Sequence, residues 1–444
     1  MKTGKTLIVS LIWLASGVLS GVAVADFDAV TLEGYSEYAE VRPGDGRDVH
    51  IGVFIRGEDV RKSVRAPIAV TLAIDISGSM HGEKIVNARL AALRFLEALG
   101  DADQLSLVVF NESASLLAPM AKLSPARREA LRRTIRSLRP SGGTNLYGGL
   151  GAAIDQAASA DAGVRRVILI SDGQGNVGPS DAGSLGRLAS DGNERHVQVS
   201  AIGVGVDYDE TALSAIAIRS AGRYSHLRDP SMLASLVEAE LSRLSETVAT
   251  EIVIEIRPRP GVILEAITPG ILREGQRYRI PIGALHGGQQ RELLLRARLG
   301  DNIQREKDVG RIAELRLEGK GAEGLRLTKR TEIRADIRSN PRAERDPRIV
   351  ALIEEHRVAE AELRAAEAFS KGAIEEARRA LDEGAAAARS ALAAAPSGAA
   401  RSRLSRKTEE ISRRAERAGR PAAYDEVRDL ELESRDSALE SYGY

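Results

Sequence analysis

Ile68-Ala-Val-Thr-Leu-Ala-Ile-Asp75-Ile-Ser77-Gly-Ser79 decides how this chain folds. Residues 68–74 form a near-continuous apolar run, which fits a strand covered on both faces, as in a parallel sheet. Asp75 ends the run, and Ser77 and Ser79 follow in a turn. Residues 83–99 then show helical spacing through Ile85, Ala88, Ala92, Leu96 and Leu99. The pattern recurs downstream. Residues 105–110, 167–170 and 197–202 read as further buried strands, and helical stretches lie near residues 125–138, 146–158, 211–218 and 232–244. Ser124-Pro125 offers a capping hydroxyl followed by proline at the first helical position. Strands alternating with helices predict a doubly wound, mostly parallel α/β sheet over 67–246, with one antiparallel edge strand after Phe110.

The flanking segments differ. Val49, Ile51, Val53 and Ile55 alternate with less apolar residues, as do Ile252, Ile254 and Ile256, and Tyr278, Ile280 and Ile282. That two-residue period predicts antiparallel strands with one buried face. Residues 247–338 therefore read as a β-sandwich, which the strands of 26–66 are expected to join. Residues 346–420 are rich in Ala, Arg and Glu, and stretches 347–370, 373–394 and 398–419 read as helices broken at Lys371-Gly372 and Pro396-Ser-Gly398. Residues 421–444 carry seven acidic and two basic residues with little apolar periodicity. They read as an acidic flexible tail. The basic cluster from Arg401 to Arg420 reads as a solvated helix face, with an acidic surface, the chain's own tail included, as its other potential partner.

Bulk composition narrows the function. The 444 residues balance 63 basic against 63 acidic side chains, and aromatics make up 3%. Neither a basic surplus nor stacking platforms point to nucleic acid. There is no cysteine, and the six histidines include no pair at zinc-ligand spacing. Lys2 and Lys5, the apolar run 7–19 and Ala23-Val24-Ala25 read as a signal peptide over 1–25, hence an exported protein in the periplasm, at the cell surface or secreted. An uncleaved anchor is the other reading of that run. No later segment is apolar enough to span a membrane.

Ligands of open α/β sheets bind beyond the carboxyl ends of the strands. Asp75 and Asp172 stand at two such ends, Ser77 and Ser79 in the turn after the first, and Thr144 in the Gly-rich loop 141–145 before a helix. Hydroxyls and carboxylates are hard oxygen ligands suited to Mg2+, with Mn2+ or Ca2+ as alternatives. A set with few carboxylates leaves a cation under-neutralised and able to accept one more. Helix capping and turn formation are the structural roles open to the same residues. His81, Asn111, Glu112, Gln174 and Asn176 lie on the same rim, where solvent-facing and turn roles suffice for them.

Asp75-x-Ser77-x-Ser79, Thr144 and Asp172 together resemble the metal-ion-dependent adhesion site of the von Willebrand factor A domain. The resemblance covers about residues 66–245. The flanking layout is similar to secreted bacterial members and to inter-alpha-trypsin inhibitor heavy chains. It implies that Ser77, Ser79 and Thr144 contact the metal directly, that Asp75 and Asp172 act mainly through water, and that the protein is a non-enzymatic binder of a partner's Asp or Glu. A cell-envelope structural or assembly factor working through the helical region is the alternative. No nucleophile–base pair suggests an enzyme.

Overall fold

The structure is a computed structural model, and it describes residues 29–42, 44, 48–58, 67–172, 174–300, 310–321, 324–395, 399–420 and 423–444. The expected signal peptide lies outside the described residues. Three short strands come first: β1 (Val30–Ser36), β2 (Glu40–Val41) and β3 (Asp48–Gly57). The α/β unit follows as β4 (Ile68–Asp75), α1 (Glu83–Ala98), β5 (Gln104–Phe110), β6 (Ala114–Lys122), α2 (Pro125–Ser137), α3 (Leu146–Ala158), β7 (Val164–Ser171), α4 (Ala182–Glu194), β8 (Val197–Val204), α5 (Glu210–Ser220), β9 (Tyr224–Leu227) and α6 (Leu233–Ser245). Its sheet runs β6-β5-β4-β7-β8-β9, and only β6 is antiparallel. Every residue of β4 is buried, as the unbroken apolar run requires. Ile68, Val70, Leu72 and Ile74 pack with α1, α2 and α6, whereas Ala73 faces α3, α4 and α5. Ser124 caps α2 by accepting the Arg127 N–H, with Pro125 in the first turn.

Eight strands follow: β10 (Thr247–Pro258), β11 (Val262–Ala266), β12 (Leu272–Glu274), β13 (Arg277–His286), β14 (Gln290–Leu299), β15 (Arg311–Gly321), β16 (Arg326–Arg334) and β17 (Asp336–Ile337). They form two antiparallel sheets, β1-β3-β14-β11 and β12-β13-β10-β15-β16, and β17 pairs with β2. The early strands thus share a sheet with β14: Ile51, Val53 and Ile55 stand opposite Leu295, Leu293 and Arg291. The apolar members of that face meet Ile252, Ile254 and Ile256 of β10 in one core. The α/β unit is an insertion between β3 and β10.

Four helices follow among the described residues: α7 (Pro347–Ser370), α8 (Ile374–Ala394), α9 (Ala399–Ala418) and α10 (Tyr424–Ser441). Ile349, Leu352 and Ile353 of α7 cover the outer face of the β3–β14 sheet around Leu294. Among the described residues no helix is long and apolar enough to cross a membrane.

The acidic C-terminal segment is not the flexible tail its sequence suggests. Residues 424–441 are helix α10, and Leu432, Ala438, Leu439, Tyr442 and Tyr444 are buried in the core that also holds α3, α4 and α5. Burying a large apolar side chain contributes about 1.5–3 kcal/mol, enough to hold an acidic segment down. Leu430 instead faces the helical layer of α7–α9. Because the apolar positions serve two neighbours, they do not align in one stripe, and the periodicity is lost to the eye.

Several charges of α10 are matched. Arg417 of α9 pairs with Asp429 and Glu433, and Arg428 reaches Glu210 of α5 at 2.6 Å. Part of the basic cluster is therefore occupied by this segment. Asp429 also accepts from His226 (3.2 Å) and Arg228 (2.6 Å). Burial raises the Asp429 carboxyl, but the hydrogen bonds from His226 and Arg228 outweigh it and bring it down to about 2.

Asp436, which accepts the His226 N–H at 3.3 Å, goes the other way. Burial pushes it up to about 7, Glu440 adds to the rise, and His226 and Arg223 only partly oppose it. A carboxyl raised in the folded state favours folding fully below its unfolded pKa, near 4, and that contribution is lost as pH rises through about 7. Asp436→Asn, which keeps the acceptor oxygen, is therefore expected to stabilise the protein by about 1–2 kcal/mol at pH 8, after allowance for partial solvent screening, and to change nothing at pH 4. Urea unfolding at the two pH values measures this. An equal effect at both would refute the assignment.

Candidate cation site at the sheet rim

Strand order reverses at β4, with β5 on one side and β7 on the other, so the crevice of the sheet opens where β4 and β7 end. Asp75 closes β4 and Asp172 directly follows β7, and both are buried. Asp75 Oδ1 accepts the Ser77 N–H at 2.7 Å, and its Oδ2 accepts from Ser171 Oγ at 2.6 Å. Ser79 Oγ donates to Asp172 Oδ1 at 2.8 Å and lies 3.0 Å from Ser77 Oγ. Four of the five expected residues thus form one hydrogen-bonded group.

Thr144 arrives by its backbone. The Gly78 N–H donates to Gly142 O (3.0 Å) and the Ser141 N–H to Ile76 O (2.8 Å), which ties the Gly-rich loop to the serine turn. Gly142 sits at φ 75°, the left-handed region that favours glycine. A Cβ on Gly143 would stand 2.8 Å from Asn176 Oδ1. That oxygen accepts the Thr144 N–H at 2.7 Å, and Asn145 caps α3. Asn176 is accordingly a positioning residue for Thr144, beyond the loop role that suffices for it in the sequence. His81 is exposed, and its ring nitrogen Nδ1 contacts Gly78 O at 2.7 Å.

Lys84 was not among the expected residues. It lies in the first turn of α1, and its ammonium contacts Asp172 Oδ2 directly. A cation at a helix N-terminus opposes the macrodipole, and this local conflict was the available sequence signal. The contact has an electrostatic reason. Burial pushes the Asp75 carboxyl up, Asp172 adds to the rise, and hydrogen bonds from Ser171 and Ser77 only oppose it. Two buried carboxylates on neighbouring strand ends call for positive charge. Gly205, at φ 85°, places the β8–α5 loop against Lys84. Arg428 of α10 holds that loop by donating to Val206 O (3.0 Å) and Tyr208 O (2.9 Å).

Among the described residues no three His, Cys, Asp or Glu side chains cluster as a metal site. The rim offers hydroxyls with two carboxylates instead, a donor set that fits a hard oxygen-seeking cation such as Mg2+.

Hydroxyl and carboxylate oxygens thus gather at the switch point of an open α/β sheet. Residues 69–239 match the family model of the von Willebrand factor type A domain, and the chain carries that domain. It is 25% identical over 283 residues to the Synechocystis protein sll0103, covering 61% of this chain and 66% of that one. It is 25% identical over 217 residues to human inter-alpha-trypsin inhibitor heavy chain H4, covering 47% of this chain and 23% of that one. The chain thus spans less than two thirds of the length of these curated relatives. The solved von Willebrand factor type A protein from Catenulispora acidiphila has the same fold, with TM-score 0.70 at 20% identity over 86% of this chain and 89% of that one. That likeness in fold extends beyond residues 69–239.

Proposed function

We propose that this protein is an exported, non-enzymatic binding protein that grips an aspartate or glutamate of a partner protein at the rim of its von Willebrand factor type A domain, with a divalent cation between them. The observation that carries this reading is the convergence of Asp75, Ser77, Ser79 and Asp172 in one hydrogen-bonded group, with the Thr144 loop tied to the same turn. Ser77, Ser79 and Thr144 would hold the cation directly, and Asp75 and Asp172 would act from behind. When bound, the cation supplies an open coordination position for a carboxylate. The residues do the rest. Ser171 and the Ser77 N–H fix the Asp75 carboxylate, Asn176 fixes Thr144, and Lys84 balances Asp172 until a cation takes over that role.

The test is a pull-down from cell-envelope extract by the full chain. Partner capture is expected with Mg2+ and is expected to disappear in EDTA. Capture that persists unchanged in EDTA would exclude the reading and favour contacts made by the helical layer.

A further inference from the structure

Two arginines break the apolar alternation of their strands at inward positions. In β14, Arg291 begins the series continued by Leu293, Leu295, Ala297 and Leu299, all of which face the sandwich core. In β7, Arg166 stands between Val164 and Ile168 on the face packed against α1 and α6. Both are buried, at 5% and 6% exposure, and their Nε atoms have no hydrogen-bond partner among the described residues. They line one cavity of about 30 Å3 where the α/β unit meets the sandwich, together with Arg223, Arg243, His286 and Glu240. The Nε of Arg223 is likewise buried and unpartnered.

The charges do not balance. Among the described residues Glu240 is the one carboxylate on the wall, and it already accepts from Ser200 and, at 3.3 Å, from Arg243. Arg166 stays 3.8 Å from it, beyond hydrogen-bonding distance. Arg291 has the Tyr444 ring 4.7 Å away as its cationic contact. Asp436 also faces Arg223, but burial and Glu440 raise its carboxyl to about 7, so it offers only about half a negative charge at neutral pH. Burial lowers the His286 pKa and Arg223 and Arg243 lower it further, against the opposing effects of the Gly287 carbonyl and Glu246. Arginine does not shed its proton in proteins, so an unmatched buried guanidinium must find an anion. A cavity of about 30 Å3 has room for an anion about the size of a water molecule.

We propose that this cavity is a binding site for a monatomic anion, chloride, which joins the α/β unit to the sandwich through guanidinium groups contributed by both. Arg166, Arg223 and Arg243 come from one side and Arg291 from the other. The site stands apart from the rim, at the opposite ends of β7 and β8.

Thermal unfolding of the full chain tests it, with sodium chloride replacing sodium gluconate at fixed ionic strength. The melting temperature is expected to rise saturably with chloride, by about 2–4 °C or more, because an ion bound only by the folded state stabilises it. Phosphate at the same ionic strength is expected to give no such rise. Arg291→Met is expected to lose the chloride response. A crystal soaked in bromide is expected to show an anomalous peak among these arginines, a readout that does not depend on how well the variant folds. Superimposable chloride and gluconate curves, an equal response to phosphate, or a bromide crystal with no peak in the cavity would each overturn the assignment.

Discussion

Asp172→Asn is expected to weaken Mg2+ binding by about 10- to 100-fold, the loss typical when a group supporting a metal's ligands is changed. The substitution keeps the shape and the acceptor for Ser79 but removes the charge that attracts a cation and engages Lys84. Lys84→Met should act in the opposite direction. With the competing ammonium gone, Mg2+ affinity is expected to rise by about tenfold, equivalent to about 1.4 kcal/mol. Isothermal titration of both variants measures the pair of effects, with circular dichroism to verify the fold. If Lys84→Met weakens Mg2+ binding instead, Lys84 serves to orient Asp172 and does not compete with the cation.

The second large effect lies in the helical layer. Glu362 of α7 is fully buried; it accepts from Arg414 of α9 at 2.5 Å and from Ser437 of α10 at 2.8 Å, with Lys407 of α9 at 2.9 Å. One carboxylate thus holds two cations and joins three helices. Glu362→Ala is expected to destabilise this layer by about 3–5 kcal/mol, because it strands both cations in a low-dielectric interior. Replacing Glu362, Arg414 and Lys407 together by leucine and methionine should recover most of the loss, since a matched apolar set needs no counter-charge. Urea unfolding followed by helical ellipticity measures both. A loss below about 1 kcal/mol in the single variant would mean that water reaches the stranded charges.

The rim was legible because its parts are local. An apolar run closed by an aspartate, a serine turn before a helix, and a Gly-rich loop before another helix each specify a strand end or helix start within ten or so residues. Asp75, Ser77, Ser79, Thr144 and Asp172 could therefore be assigned to one edge without knowledge of which strands pair. Lys84 was missed because its helical position shows only that it lies near the rim, whereas its contact depends on β4 and β7 being neighbours.

Local pattern alone thus determined the alternating α/β unit, the period-two strands around it and the helices of 347–419, since each depends on covering one face of one element. Tertiary structure decided what those faces meet. Residues 424–441 look like a solvated acidic segment until their leucines and tyrosines find the α/β core on one side and the helical layer on the other. Arg166 and Arg291 look like ordinary surface charges until strand register turns both inward at one seam. The physical reason is common to both. A residue's burial depends on partners contributed by other elements, many of them far along the chain, and no periodicity within a single element records which partner will arrive.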